Sequence, residues 1–85
     1  MSEKAIVRQE LDAVPGVVRT WFEWTFENGA KAKTLVVEVE FDTDPNSMGW
    51  DEQALFDIHQ VAASVLKQKT TMIISYLRVV PKGLY

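Results

Sequence analysis

The dipeptide Asn28-Gly29 is the feature that most constrains the fold of this chain. Two runs in which apolar and polar residues alternate flank it, and Asn-Gly supplies the two positive-φ positions of a type I′ turn. Residues 17–42 are therefore predicted to form a β-hairpin, with residues 17–27 as the first strand.

Two registers are compatible with this hairpin. A two-residue turn opposes Arg19 with Glu38, a favourable cross-strand charge pair, but it also opposes Trp24 with Lys33. A four-residue loop opposes Trp24 with Leu35 instead. Each register keeps the apolar faces of the strands together, because only a one-residue shift would exchange the faces. The Asn-Gly chemistry favours the tight turn, and the longer loop stays open at this point.

The two faces of the hairpin have different compositions. The core face is predicted to carry every second residue of both strands: Val18, Thr20, Phe22, Trp24, Phe26, Leu35, Val37, Val39 and Phe41. On the outer face, Trp21 and Val36 form an apolar centre. A charged rim surrounds it, made of Arg19, Glu23, Glu38 and Glu40. An apolar centre with a charged rim is typical of a protein interface, where tryptophan and arginine are enriched. These six residues are the candidate interaction surface; a tryptophan lying flat on its neighbours is the alternative.

Helices are predicted on either side of the hairpin. Residues 2–14 carry a helical apolar stripe with Ser2 as N-cap, and a strand is the alternative for this segment. Residues 50–69 form the longer helix, for which Asn46 or Ser47 is expected to be the N-cap. Residues 71–80 form a third strand that is apolar on both faces, and residues 81–85 form a short tail that is expected to fray.

The order of these elements predicts a single α+β domain over residues 1–85. The architecture is a two-layer α-β-β-α-β fold with both helices on one face of a three-stranded sheet. The long helix is a crossover that returns strand three parallel to strand two. Strand one is placed between them, which gives a mainly antiparallel sheet with the order 2-1-3.

Composition narrows the classes of function. The formal net charge of −3 does not favour a nucleic-acid partner. The chain has no cysteine, which excludes disulfides, thiolate zinc sites and cysteine nucleophiles. No signal-peptide pattern and no apolar run of about 20 residues is present, so a cytoplasmic protein without a membrane partner is expected.

Catalytic, cofactor-binding and metal-binding residues are not predicted. His59 is the single histidine and lacks a nucleophile at motif spacing. Asp42-x-Asp44-x-Asn46 begins like an EF-hand loop, but the calcium-loop pattern then fails. At the hairpin tip, two lysines beside two aromatic residues could stack a nucleobase, although cation–π shielding is the simpler interpretation. The residues concerned are Lys31, Lys33, Trp24 and Phe26.

The function predicted from these patterns is a small non-enzymatic interaction or assembly module. Its partner is another protein or a second copy of itself, and self-association is expected through the outer sheet face or the edge of strand three. One alternative is a small-ligand-binding protein or enzyme, with a pocket between the sheet and the long helix that uses His59 or Tyr76 and is lined by Phe22 and Trp24. Another is an acidic inhibitor or decoy that captures a basic nucleic-acid-binding protein through the residues Glu38, Glu40, Asp42, Asp44, Asp51 and Glu52.

Overall fold

Two helices and three strands follow one another in the predicted order α-β-β-α-β. The computed structural model describes residues 1–83, the side chain of Glu27 excepted. The elements are α1 (Glu3–Asp12), β1 (Val17–Glu27), β2 (Ala30–Val39), α2 (Glu52–Lys69) and β3 (Tyr76–Pro81). The helical interpretation of the first segment is confirmed, with Ser2 as its N-cap: the Ser2 hydroxyl accepts the backbone N–H of Ala5 at 3.1 Å.

The hairpin closes through the tight turn. Asn28 and Gly29 have φ angles of 52° and 78°, as a type I′ turn requires. Arg19 pairs with Glu38 and Trp24 with Lys33, so the two-residue register is confirmed and the four-residue loop is wrong.

The predicted strand order is wrong. β2, not β1, is the central strand: it pairs antiparallel with β1 and parallel with β3, which gives a mixed sheet of order β1-β2-β3. The direction of β3 relative to β2 is as predicted, but the crossover returns the chain directly beside β2. Adjacent parallel strands joined by a helix form an ordinary β-α-β unit.

Both helices pack on one face of this sheet, as predicted. A single hydrophobic cluster takes residues from α1, β2 and α2: Val7, Leu11, Leu35, Val37, Val39, Ile58, Ala62 and Val65. All of them are at most 3% exposed. Burial of a large aliphatic side chain contributes about 1.5–3 kcal/mol to folding, so this cluster is the main source of stability.

A β-bulge changes the core face at the start of the hairpin. Val17 pairs with Val39 and Arg19 pairs with Glu38, which leaves Val18 as an extra residue. Val17 therefore packs against the core, whereas Val18 is 38% exposed. The prediction that Val18 faces the core is wrong, because the bulge shifts the alternation by one residue.

The far half of the hairpin extends beyond the helices. Thr20 is buried and Phe22 packs against the core, but Trp24 and Phe26 are 56% and 75% exposed. The 11 residues of β1 span about 36 Å, whereas the 10 residues of α1 span only about 15 Å. Trp24 and Phe26 were predicted in the core; they lie on the predicted face, past the reach of the helix layer.

Several boundaries differ from those predicted: α1 is shorter than residues 2–14, and β2 ends at Val39 rather than at residue 42. α2 begins at Glu52, and its N-cap is Asp51 rather than Asn46 or Ser47. β3 begins at Tyr76, and the preceding segment is not a strand, although it packs on the core through Met72 and Ile74. The start of the tail, which was expected to fray, is held to β2 by a backbone hydrogen bond: the N–H of Lys82 donates to the carbonyl oxygen of Val39 at 2.8 Å. Residues 84 and 85 lie outside the described residues.

Candidate functional site

The face of the sheet opposite the helices carries most of the predicted interaction surface. We call this surface the open sheet face and define it by Arg19, Trp21, Glu23, Thr34, Val36, Glu38, Arg78 and Val80. Within residues 1–83, the core cluster that both helices contribute to lies on the other side of β2. Five of the six predicted residues are therefore brought together. Glu40 lies one residue past the end of β2 with an exposed side chain.

Arg19 joins the two strands of the hairpin on this face. Its Nε donates to Oε1 of Glu38 at 2.5 Å, across the register pair that the tight turn creates. Its guanidinium carbon also lies 4.6 Å from the centre of the Trp21 ring. Arg19 thus makes an ion pair and a cation–π contact at once, and both contacts fix its side chain.

Glu23 links the two outer strands across β2. It accepts a hydrogen bond from Nε1 of Trp21 at 2.8 Å and another from Nη2 of Arg78 at 3.3 Å. In the register, Val36 lies between Trp21 and Arg78. Val36 is fully buried, so the apolar centre of the predicted surface lies beneath the linked side chains rather than at the surface.

Glu38 is a buried carboxylate in the central strand. Its side chain is only 6% exposed, and its second oxygen accepts the backbone N–H of Gly83 at 3.2 Å. The hydrogen bond from Arg19, followed by that from the Gly83 N–H, holds the pKa of Glu38 below its ordinary value, although burial opposes this shift. Glu38 is therefore ionised at neutral pH and holds β1 and the C-terminal segment to β2.

The charges of the open sheet face balance one another. Arg19 and Arg78 carry two positive charges, and Glu23 and Glu38 carry two negative charges, so these four residues sum to zero in a chain of net charge −3. The salt bridges and the indole hydrogen bond also restrict the long side chains before any partner arrives. A neutral, ordered face loses less free energy on burial than one with free charges and mobile side chains.

Arg78 belongs to this linked set of side chains but was not predicted from the sequence. Its partner Glu23 lies 55 residues away in sequence, and the two side chains meet only because β3 lies beside β2. The incorrect strand order placed β3 on the far side of β1. A salt bridge between non-adjacent strands leaves no periodic signal in the sequence that could have indicated it.

The acidic residues considered for metal binding are used within the chain. The Asp42 carboxylate accepts from the Ser47 hydroxyl, and Asp44 accepts the Asn46 N–H at 2.9 Å. Among the described residues, no group of three or more histidine, aspartate or glutamate side chains is placed to hold a metal ion. The six acidic residues of the inhibitor or decoy hypothesis do not form one exposed surface, because Glu38 is buried on the open sheet face.

His59 and Tyr76 both line a surface groove between α2 and the start of β3. The groove has a volume of about 230 Å³ and is lined by His59, Ala62, Ala63, Leu66, Ile74, Ser75, Tyr76 and Leu77. Phe22 and Trp24, which were expected to line a ligand pocket, are not part of it. Small-molecule sites usually occupy about 300–1,000 Å³, so the groove does not favour a ligand-binding function.

Comparisons with known proteins do not assign a function to this surface. No protein-family model matches the chain, and no curated protein matches its sequence. A solved structure described as a variant of the MamM CTD is similar, with 20% sequence identity and a TM-score of 0.48 over 93% of this chain and 86% of that chain. These values do not support a transfer of function. Neither described helix is both long and apolar enough to cross a membrane.

Proposed function

We propose that this chain is a small interaction module that associates with a second copy of itself through the open sheet face. Trp21 and Arg19 supply the residue types that dominate binding energy at protein interfaces. The observation that supports the proposal is the linked set Glu38, Arg19, Trp21, Glu23 and Arg78, which is already ordered and electrically neutral.

A two-fold dimer suits this face better than a head-to-tail assembly. A two-fold axis places the same surface on both sides of the interface, so each copy must be self-complementary. The face presents both charge signs at its surface, since Arg19 and Arg78 lie beside the partly exposed Glu23, which allows an arginine of one copy to approach Glu23 of the other. A surface of one charge sign would repel its own copy.

The size of the face predicts a weak dimer. Three strands spaced by about 4.8 Å, with β2 about 33 Å long, present a flat area of roughly 450 Å². Stable interfaces bury about 800 Å² per partner, so association in the micromolar range is expected.

Sedimentation velocity over a range of micromolar concentrations tests the proposal. The unmodified chain is expected to shift towards a dimer as concentration rises. Trp21→Ala should weaken dimerisation by about 30-fold, because truncation of a central interface residue costs about 2 kcal/mol or more.

The matched control is Trp24→Ala, which removes the same side chain from the same strand but from the opposite face. It should dimerise like the unmodified chain. A chain that remains monomeric up to tens of micromolar, or equal losses in the two variants, would show that the open sheet face is not the interface.

A further inference from the structure

The far end of the hairpin carries an exposed aromatic surface that the proposed dimer does not use. Trp24 and Phe26 are 56% and 75% exposed and lie on the face of β1 that continues the core face. Phe22 precedes them at the same two-residue spacing and packs against the core. The rings therefore form a row along one strand, anchored in the core at one end and open at the other.

Lysine side chains lie beside this row of rings. The Nζ atoms of Lys31 and Lys33 are 4.3 Å and 5.3 Å from the centre of the Trp24 ring, and Nζ of Lys4 is 5.6 Å from that of Phe22. Within the described part of the chain, none of these three lysines forms an ion pair with a carboxylate.

The carboxylates of Glu3, Glu10 and Glu23 are directed away from this row of rings, whereas that of Asp12 accepts a hydrogen bond from Thr20 on the same face of β1. Glu23 lies between Phe22 and Trp24 in sequence, but its carboxylate is bonded on the open sheet face to Trp21 and Arg78. In α1, the carboxylate of Glu3 bonds to Thr71 and that of Glu10 to Lys69, both on the side of α2. Lys4, Lys31 and Lys33 thus place three ammonium groups beside the rings in an acidic chain.

We propose that this aromatic–lysine strip, formed by Lys4, Phe22, Trp24, Phe26, Lys31 and Lys33, binds single-stranded nucleic acid. Bases stack on Trp24 and Phe26, and Lys31 and Lys33 contact the phosphates. Residues i and i+2 of a strand are about 6.7 Å apart, which is twice the thickness of a stacked base. Neighbouring bases that are splayed apart therefore reach one ring each.

In the free protein, lysine ammonium groups already lie where a base would stack. The ammonium groups of Lys31 and Lys33 lie against the exposed Trp24 ring, where a cation–π contact is weak because solvent screens it. A base that stacks on the ring displaces them towards the phosphates on either side. The phosphate contacts then replace the cation–π contacts, so positive charge is retained beside the ligand.

The shape of the tip favours nucleic acid over a membrane surface. A membrane-inserting hairpin needs apolar residues at its apex, whereas the apex here is Asn28-Gly29. The rings lie on the flat side of the strand, below the apex. A ligand that lies along the strand contacts both rings, whereas insertion of the tip would bury the polar turn first.

Fluorescence anisotropy with a short labelled oligothymidylate tests the proposal at low salt, with Trp24→Leu and Trp24→Phe as the variants. Trp24→Leu keeps an apolar side chain but removes the stacking face, so affinity should fall about tenfold. Trp24→Phe should retain most of the affinity. In the double variant Lys31→Gln/Lys33→Gln, the slope of log affinity against log salt should decrease by about 1.4, because two phosphate contacts are lost.

Two control variants separate this site from general effects. Trp21→Leu removes a tryptophan from the opposite face, and Phe56→Ala removes a ring that is also 56% exposed but lies on α2. Both should bind the oligonucleotide like the unmodified chain. Equal affinity of the Leu and Phe variants of Trp24, or no binding at low salt, would overturn the proposal. Binding to vesicles of anionic phospholipid without binding to the oligonucleotide would overturn it in favour of a membrane surface.

The oligonucleotide-binding experiment tests a surface that is separate from the proposed dimer interface. Trp21 lies on the open sheet face and Trp24 on the strip, so each tryptophan variant affects one measurement and serves as the control for the other.

Discussion

Glu38 is a charged residue in the middle of a buried strand segment. Residues 34–39 are all buried, and Glu38 is the single charged residue among them. A buried carboxylate is costly unless both oxygens have partners. Arg19 and the Gly83 N–H supply those partners, one to each oxygen. The ionised, buried carboxylate therefore keeps both of its hydrogen-bond partners only while the hairpin register and the C-terminal segment are in place.

The lowered pKa of Glu38 predicts a loss of stability in acid. Because this pKa is lower in the folded than in the unfolded chain, the contribution is complete above the ordinary value of 4.5 and is lost as pH falls through the folded-state value. Urea denaturation at a series of pH values should therefore show a flatter acid decline of the unfolding free energy for Glu38→Gln. Arg19→Gln removes the main cause of the shift and should flatten the decline as well. An unchanged decline in both variants would exclude this ion pair as its origin.

At the level of secondary structure, the hairpin register was predictable and the bulge was not. Asn28 and Gly29 specify the turn through their own backbone preferences, so the pairing of Arg19 with Glu38 follows from local chemistry. Because of the bulge, Val17 rather than Val18 faces the core, and the two residues are identical in type. No composition pattern can reveal which of two adjacent valines faces the core. The exposure of Trp24 depends on the length of the helix layer, which local patterns do not report.

The start of α2 gives a test of capping. The Asp51 carboxylate accepts the backbone N–H of Ala54 at 3.0 Å. Asp51→Ala should lower the free energy of unfolding by about 1 kcal/mol, measured by urea denaturation, because it removes the partner of a helix-terminal N–H. The matched control is Asn46→Ala, since Asn46 was expected to be the cap but lies in the loop before it. A larger loss in Asn46→Ala than in Asp51→Ala would contradict the structure.

At the scale of the whole molecule, the position of β3 could not be derived from the connection alone. A crossover helix returns the chain parallel to β2 whether β3 lies beside β2 or on the far side of β1. The packing decides: Leu77 and Val79 join the core, and Arg78 reaches Glu23 across the central strand. The same error hid the contact between Arg78 and Glu23, because β3 brings Arg78 and Val80 to the open sheet face beside β2.

Hydrogen exchange distinguishes the two strand orders. β2 is paired on both sides, so its amides from Leu35 to Val39 should exchange most slowly among the strands. β1 is an edge strand, and alternate amides along it should exchange much faster because they face solvent. The readout is the residue-resolved decay of amide signals in deuterated buffer. If all amides of β1 exchanged slowly and alternate amides of β2 exchanged fast, the strand order would be 2-1-3 instead.

The bulge at Val18 has a consequence for how this chain tolerates insertions and deletions. Trp21 and Trp24 are three residues apart and lie on opposite faces of β1. Because the turn sets the register, a residue gained or lost between Trp21 and the turn would move Trp21 to the face that carries Lys31 and Lys33. The extra residue at Val18 precedes both tryptophans, so it is absorbed without mixing the two surfaces. A change of length at the start of β1 is therefore expected to leave both surfaces intact, whereas a change between Trp21 and Asn28 would mix them.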